Sequence, residues 1–220
     1  MSHSPSDRPG GAFAPHEALA ESLLPHATEG DDGSHDIAHL QRVWKNAATI
    51  HAAEGGDGEV LAAATLLHDC VTVEKNDPMR PQASRLAARK AAGILEGLGW
   101  DGPRIAAVAH AVEAHSFSAG IAPETLEARI LQDADRLDAI GMVGVARCFY
   151  IAGRMGSGLY DPRDPQATAR PLADARFALD HFDNKLFKLA GGFQTEAGRK
   201  LATLRQDRLR RFYDEFLDEI

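Results

Sequence analysis

The chain has 220 residues, of which 44% are hydrophobic and 25% charged, and a formal net charge of −8. This is the composition of an ordinary globular domain, and it excludes collagen-like, low-complexity and wholly disordered classes. The negative charge argues against polymeric nucleic acid and anionic membrane surfaces as partners. No apolar run of about eighteen residues is present, so no membrane span is expected and a cytoplasmic protein is.

Alanine supplies about a sixth of the residues while β-branched and aromatic residues are sparse, which favours helices. Length favours one domain. Residues 1–15, polar and broken by Pro5, Pro9, Gly10 and Gly11, read as a disordered tail, leaving residues 16–220 as the folded part. Leu19, Leu23 and Leu24 share one face of a short helix that ends in the Gly- and Asp-rich stretch 28–33. Ser34-His35-Asp36 then opens a long amphipathic helix, with Ile37, Leu40, Val43, Ala47 and Ile50 on its apolar stripe and Gly55-Gly56 as its stop. Residues 59–69 are apolar nearly all round, which predicts a helix through the centre of the core. Helical patterns return over 82–98, 103–115 and 123–140, and 141–146 either prolongs or restarts the last of these. Residues 153–171, rich in Gly, Asp and Pro, predict a long surface loop. Helices over 172–189 and 195–220 complete an all-α reading, with the chemistry concentrated in about 34–140 and the C-terminal helices in 172–220. Cys70 and Cys148 stand far apart without a C-x-x-C pair, so neither a disulfide framework nor a cysteine zinc site is implied, and both read as small buried residues.

Three groups of residues carry chemistry. His68-Asp69 closes the apolar segment, where an imidazole and a carboxylate are costly to bury unless paired or bound to a cation. Alone, the dipeptide reads equally as a neutral histidine beside a backbone-capping carboxylate. His35 and His39 stand four residues apart, on one helix face if the helix begins early enough. Gln132-Asp133-Ala134-Asp135-Arg136-Leu137-Asp138 puts three carboxylates within an apolar framework.

At this point the chain resembles the HD-domain metal-dependent phosphohydrolases, whose ligand pattern H…HD…D is spread over three helices of a bundle. By motif, the resemblance implies His39 in His39-Leu40-Gln41-Arg42-Val43, the pair His68-Asp69, and Asp135 in Ala134-Asp135-Arg136-Leu137 as metal ligands, with His35 the rival for the first place. Leu67-His68-Asp69, Lys75-Asn76, 114–119, 132–140 and Asp180-His181-Phe182 sharpen it to the YedJ/YpgQ-like branch, over about residues 20–220. That branch implies an all-α, single-domain HD bundle and a phosphohydrolase, with nucleoside triphosphate pyrophosphohydrolase activity in at least one member. The chain lacks both the Glu-Asp pair of alarmone hydrolases and the Gly-Tyr-Pro motif of cyclic-di-GMP phosphodiesterases.

Two imidazoles and two carboxylates suit one divalent ion: Mn, Mg, Ni, Co, Fe or Zn, with Mn favoured. Such an ion lowers the pKa of a bound water toward about 7, giving a nucleophile for attack at phosphorus. Phosphate charge also calls for protein cations. Lys75 is the first candidate for that contact, ahead of Arg42, Arg136 and His115, each with a plain structural alternative. His35, Asp36 and Glu74 are candidates for proton transfer. His110 stands five residues from His115 and so does not share its helix face; it reads as structural. The expected partner is a small phosphorylated substrate such as a nucleotide, and the sequence leaves room for a homodimer. Two other readings keep the same ligands: an HD-type di-iron oxygenase, which would need both His110 and His115, and a non-catalytic metal or nucleotide sensor.

Overall fold

The computed structural model describes residues 9–27, 36–73, 79–116 and 119–220. Among them there are helices and one isolated bridge, Gly158 to Phe177, but no strand. The all-α expectation is met. The chain gathers into two compact units, residues 1–135 and 136–220.

The first unit is built around one helix. Helices α1 (Glu17–Ala27), α2 (Ile37–Glu54), α3 (Gly58–Leu67), α4 (Ala83–Gly97) and α5 (Gly102–Ala114) precede α6 (Leu126–Asp138). Asp57 starts α3 by accepting the amide hydrogens of Glu59 and Val60 at 2.9 and 3.1 Å, which satisfies two of the orphan donors of the first turn. Every residue from Val60 to Leu67 is then buried, because α1, α2, α4 and α5 all pack against α3. Burying each of its leucines contributes roughly 1.5–3 kcal/mol. The turn after α2 needs glycine: Gly55 and Gly56 have φ of +81° and +104°, and a Cβ at Gly56 would stand 2.8 Å from Glu127 Oε1.

Residues 9–15, expected to belong to an N-terminal tail, are folded. From Pro9 the chain folds: Pro9–Phe13 forms a 3₁₀ turn against α1 and α2. Phe13 is fully buried near Trp44, whose Nε1 donates to the Ala14 carbonyl at 3.3 Å. One large aromatic ring supplies enough apolar area to hold a stretch that composition marked as polar. Residues 1–8 lie outside the described residues.

The second unit begins within the last turn of α6. Helix α7 (Gly141–Arg154) is a restart, with Gly141 at φ +72°. The loop expected over 153–171 is found, but the helix expected over 172–189 is not. Its first half is turns, and helical geometry begins at Asp180, continuing as a π-helical turn over Phe182–Leu186 and the short α8 (Phe187–Leu189). The cause is Asp180. Its buried carboxylate takes Arg170 Nη1 and Nη2 at 2.5 and 2.8 Å and the Ala173 amide at 2.7 Å, folding residues 170–180 back on themselves. Helix α9 (Glu196–Asp218), capped by Thr195 Oγ1 on the Gly198 amide, packs on α7. Phe149, Phe182, Phe187, Phe212, Tyr213 and Phe216 fill the space between them. Cys70 and Cys148 are buried and form no disulfide, as expected.

Candidate metal centre

The candidate ligands all lie in the first unit. Asp36 caps α2 by accepting the His39 amide at 2.9 Å, fixing the helix start and with it the turn that carries His39. Helix α3 stops at Leu67, so His68 occupies its C-cap position and Asp69 the next. Asp135 comes from α6. His39 and His68 are almost wholly buried, whereas the carboxylates of Asp69 and Asp135 are 27% and 28% exposed. The cluster therefore opens on its acidic side.

The two imidazoles meet tip to tip, with Nε2 of His39 and His68 separated by 3.3 Å. His39 Nε2 lies 3.6 Å from an oxygen of Asp69 and 3.6 Å from one of Asp135. The corresponding distances from His68 Nε2 are 3.4 and 3.9 Å. Donor atoms held at about 2.0–2.2 Å from a first-row divalent ion stand roughly 3.0–3.4 Å from their neighbours around it. The separations found here fit such an ion after adjustments of a few tenths of an ångström. The donor chemistry agrees, since lone pairs and negative charges crowded this closely repel one another without a cation.

The backbone orients the rings. His68 Nδ1 lies 2.7 Å from the Thr65 carbonyl, an oxygen that can only accept, so Nδ1 carries the proton and Nε2 presents its lone pair to the cluster. Burial pushes the His68 imidazole below its ordinary range, outweighing the opposing pull of the Asp69 carboxylate. The neutral, ligating form is thereby favoured.

His115, expected as a substrate contact, belongs to this cluster. Its Nε2 lies 3.7 Å from Asp69 Oδ1, and its ring meets that of His68 edge-on. His68, Asp69 and His115 form a second group able to hold a metal ion, beside the group of His39, His68 and Asp135. His110 accepts the Glu124 amide at 2.9 Å and is in neither group.

The other expected site residues are placed differently. His35, Glu74 and Lys75 lie outside the described residues. Asp36 serves as the cap of α2. Arg42 lines a groove of about 670 Å³ with Ala12, Ala14, Trp44 and Lys45. Arg136 follows Asp135, but one residue on a helix is about 100° of rotation, and its Nη1 donates to the Gly192 carbonyl. A Cβ on Gly192 would stand 2.7 Å from that nitrogen.

Two positioning residues carried no signal in the motif reading. Asn46, two turns beyond His39, is buried and donates from Nδ2 to the carbonyl of Ala134, the residue before Asp135, at 3.0 Å. Gln132 donates from Nε2 to the carbonyl of Ala114, the residue before His115, at 2.7 Å. A polar residue on a stripe that is otherwise apolar marks Asn46; nothing marks Gln132.

A family model described as HD domain matches residues 36–140. A Bacillus subtilis protein known as YpgQ and described as uncharacterized is 31% identical over 204 residues, spanning 91% of this chain and 89% of its own length. Among solved structures, an HD-superfamily hydrolase from Bacillus thuringiensis superposes with a TM-score of 0.71 at 29% identity, over 93% of this chain and 97% of that one. The structure of Bacillus subtilis YpgQ in complex with ADP gives 0.70 at 28% identity, over 92% and 95%.

Proposed function

The chain belongs to the HD domain family of metal-dependent hydrolases, and from that premise we propose that it cleaves a phosphoester or phosphoanhydride bond in a small phosphorylated compound, a nucleotide first among them. The proposed centre is one divalent ion, manganese for preference, held by His39, His68, Asp69 and Asp135. The observation that carries this reading is the buried tip-to-tip pair of imidazoles, 3.3 Å apart, flanked by two part-exposed carboxylates. When bound, such an ion acidifies a coordinated water toward pKa about 7 and offsets charge building on phosphate oxygens.

The residues divide the remaining work. His39 and His68 hold their positions because they are walled in by core. His68 is kept in its ligating tautomer by the Thr65 carbonyl. Asp69 and Asp135 supply two negative charges that neutralise a divalent ion, and their exposed side is where a phosphate can approach. Lys75, six residues beyond Asp69, is the proposed phosphate contact. The ADP held by the related YpgQ structure supports a nucleotide as substrate.

The test is release of phosphate or pyrophosphate from a panel of nucleoside mono-, di- and triphosphates and sugar phosphates by the Mn²⁺-loaded protein. Release that disappears in His68→Ala and Asp69→Ala is the expected result. Release retained in both variants would defeat the reading.

A further inference from the structure

A cavity of about 40 Å³ lies beside the ligand cluster, walled by His68, Asp69, Val71, Ser84, His115 and Ser116. Ser84, the second residue of α4, is only 3% exposed, and its hydroxyl oxygen has no hydrogen-bond partner among the described residues. Buried hydroxyls in folded proteins are nearly always paired, since each unpaired one costs about 1–3 kcal/mol. His115 also lines the cavity; its Nδ1 lies 2.6 Å from the Val112 carbonyl and so carries the ring's proton. Its Nε2 presents a lone pair toward Asp69 Oδ1, 3.7 Å away and beyond hydrogen-bond reach.

Besides the Ser116 hydroxyl, the cavity thus presents two acceptors, His115 Nε2 and Asp69 Oδ1, and the unpartnered Ser84 hydroxyl able to donate. A matching occupant donates twice and accepts once. An anion would add a third acceptor to two already present. A second cation would compete for His68 Nε2, whose single lone pair can serve one ion only. A water molecule meets the requirement, makes the three hydrogen bonds usual for a buried water, and occupies about 30 Å³.

We infer that Ser84, His115 and Asp69 form a water site on the flank of the metal centre, the water donating to His115 Nε2 and Asp69 Oδ1 and accepting from Ser84 Oγ. The inference rests on the hydrolase reading for its use: a water fixed here stands beside the proposed ion, at its ligand Asp69. Ser84 and His115 are positioning residues in this arrangement.

The test uses the full chain loaded with Mn²⁺. A crystal structure at about 1.5 Å is expected to show one water within roughly 3.2 Å of both Ser84 Oγ and His115 Nε2. Ser84→Ala removes a hydroxyl whose one partner is the water and which bonds no other described protein group, so its Tm and Mn²⁺ affinity stay close to wild-type values while kcat falls about tenfold at unchanged KM. Ser84→Thr, which keeps the hydroxyl, restores kcat. A second Mn²⁺ in the cavity, an unchanged kcat in Ser84→Ala, a raised KM in place of the lowered kcat, or a lowered Tm each overturns the water site. If the wild-type protein hydrolyses nothing in the panel, the hydrolase reading fails, whereas the crystallographic water is decided independently.

Discussion

Replacing Asn46 with aspartate changes one amide group for an oxygen at constant shape, and the account gives that change a large effect. Asn46 is 4% exposed and its Nδ2 donates to the Ala134 carbonyl at 3.0 Å. Asn46→Asp puts an acceptor against that carbonyl and a charge into the core. Uncompensated buried charges cost about 3–5 kcal/mol, and protonation of the new carboxyl caps the loss near the lower end, at about 3 kcal/mol. For a chain of this size each kcal/mol lowers Tm by about 2–4 °C, so the fall is about 6–12 °C. The bond also holds α6 where Asp135 faces His39, so Mn²⁺ affinity should fall by about 10–100-fold, as is typical when an outer partner of a metal site is lost. Thermal melts of chelator-treated protein give the first number and calorimetric titration with Mn²⁺ the second. Wild-type values for both would refute the positioning role of Asn46.

The His68 imidazole is held below its ordinary pKa of 6.5 by burial, so in acid the unfolded chain takes up a proton that the folded chain refuses. The stability this gives is present above pH about 6.5, falls as pH drops below that value, and levels off once the folded-state pKa is passed. Melts of metal-free protein should show the decline, and His68→Asn should flatten it; an equal slope in the variant would contradict the assignment. Asp180→Ala, which breaks the carboxylate fold of residues 170–180, should lower Tm while leaving Mn²⁺ affinity unchanged, and a loss of metal binding would show that its role is not confined to that loop. Leu66→Ala, at a fully buried position in the last turn of α3, should cost about 2–5 kcal/mol in denaturant unfolding, and a loss under about 1 kcal/mol would mean that α3 is not at the centre of its unit.

Three helices of the first unit are legible because an apolar pattern meets an explicit start or stop: Asp57 before α3, Asp101, which accepts the Arg104 amide at 3.0 Å, before α5, and Gly55-Gly56 after α2. The ligands are legible for a related reason. An HD dipeptide at the end of an apolar helix stands out, and His39 and Asp135 lie on helices whose register the period fixes. Residues 172–179 misled because Leu172, Ala173, Phe177 and Leu179 imitate a helical stripe. One carboxylate, Asp180, competes for the backbone there and wins, and periodicity does not register a side chain that bonds seven residues back. Arg136 is adjacent to Asp135 in sequence, but periodicity could not show that its guanidinium donates to the Gly192 carbonyl. Ser84 could not be found at all, since a serine in the first turn of a helix is ordinary and its isolation exists only in three dimensions.

The most direct test of the metal centre is calorimetric titration of Mn²⁺ into chelator-treated protein, for the wild type and for His39→Ala, His68→Ala, Asp69→Ala and Asp135→Ala. The account predicts one ion per wild-type chain and an affinity at least about 100-fold weaker in each variant. Wild-type affinity in any of the four, in a variant whose helical content is intact, would contradict it.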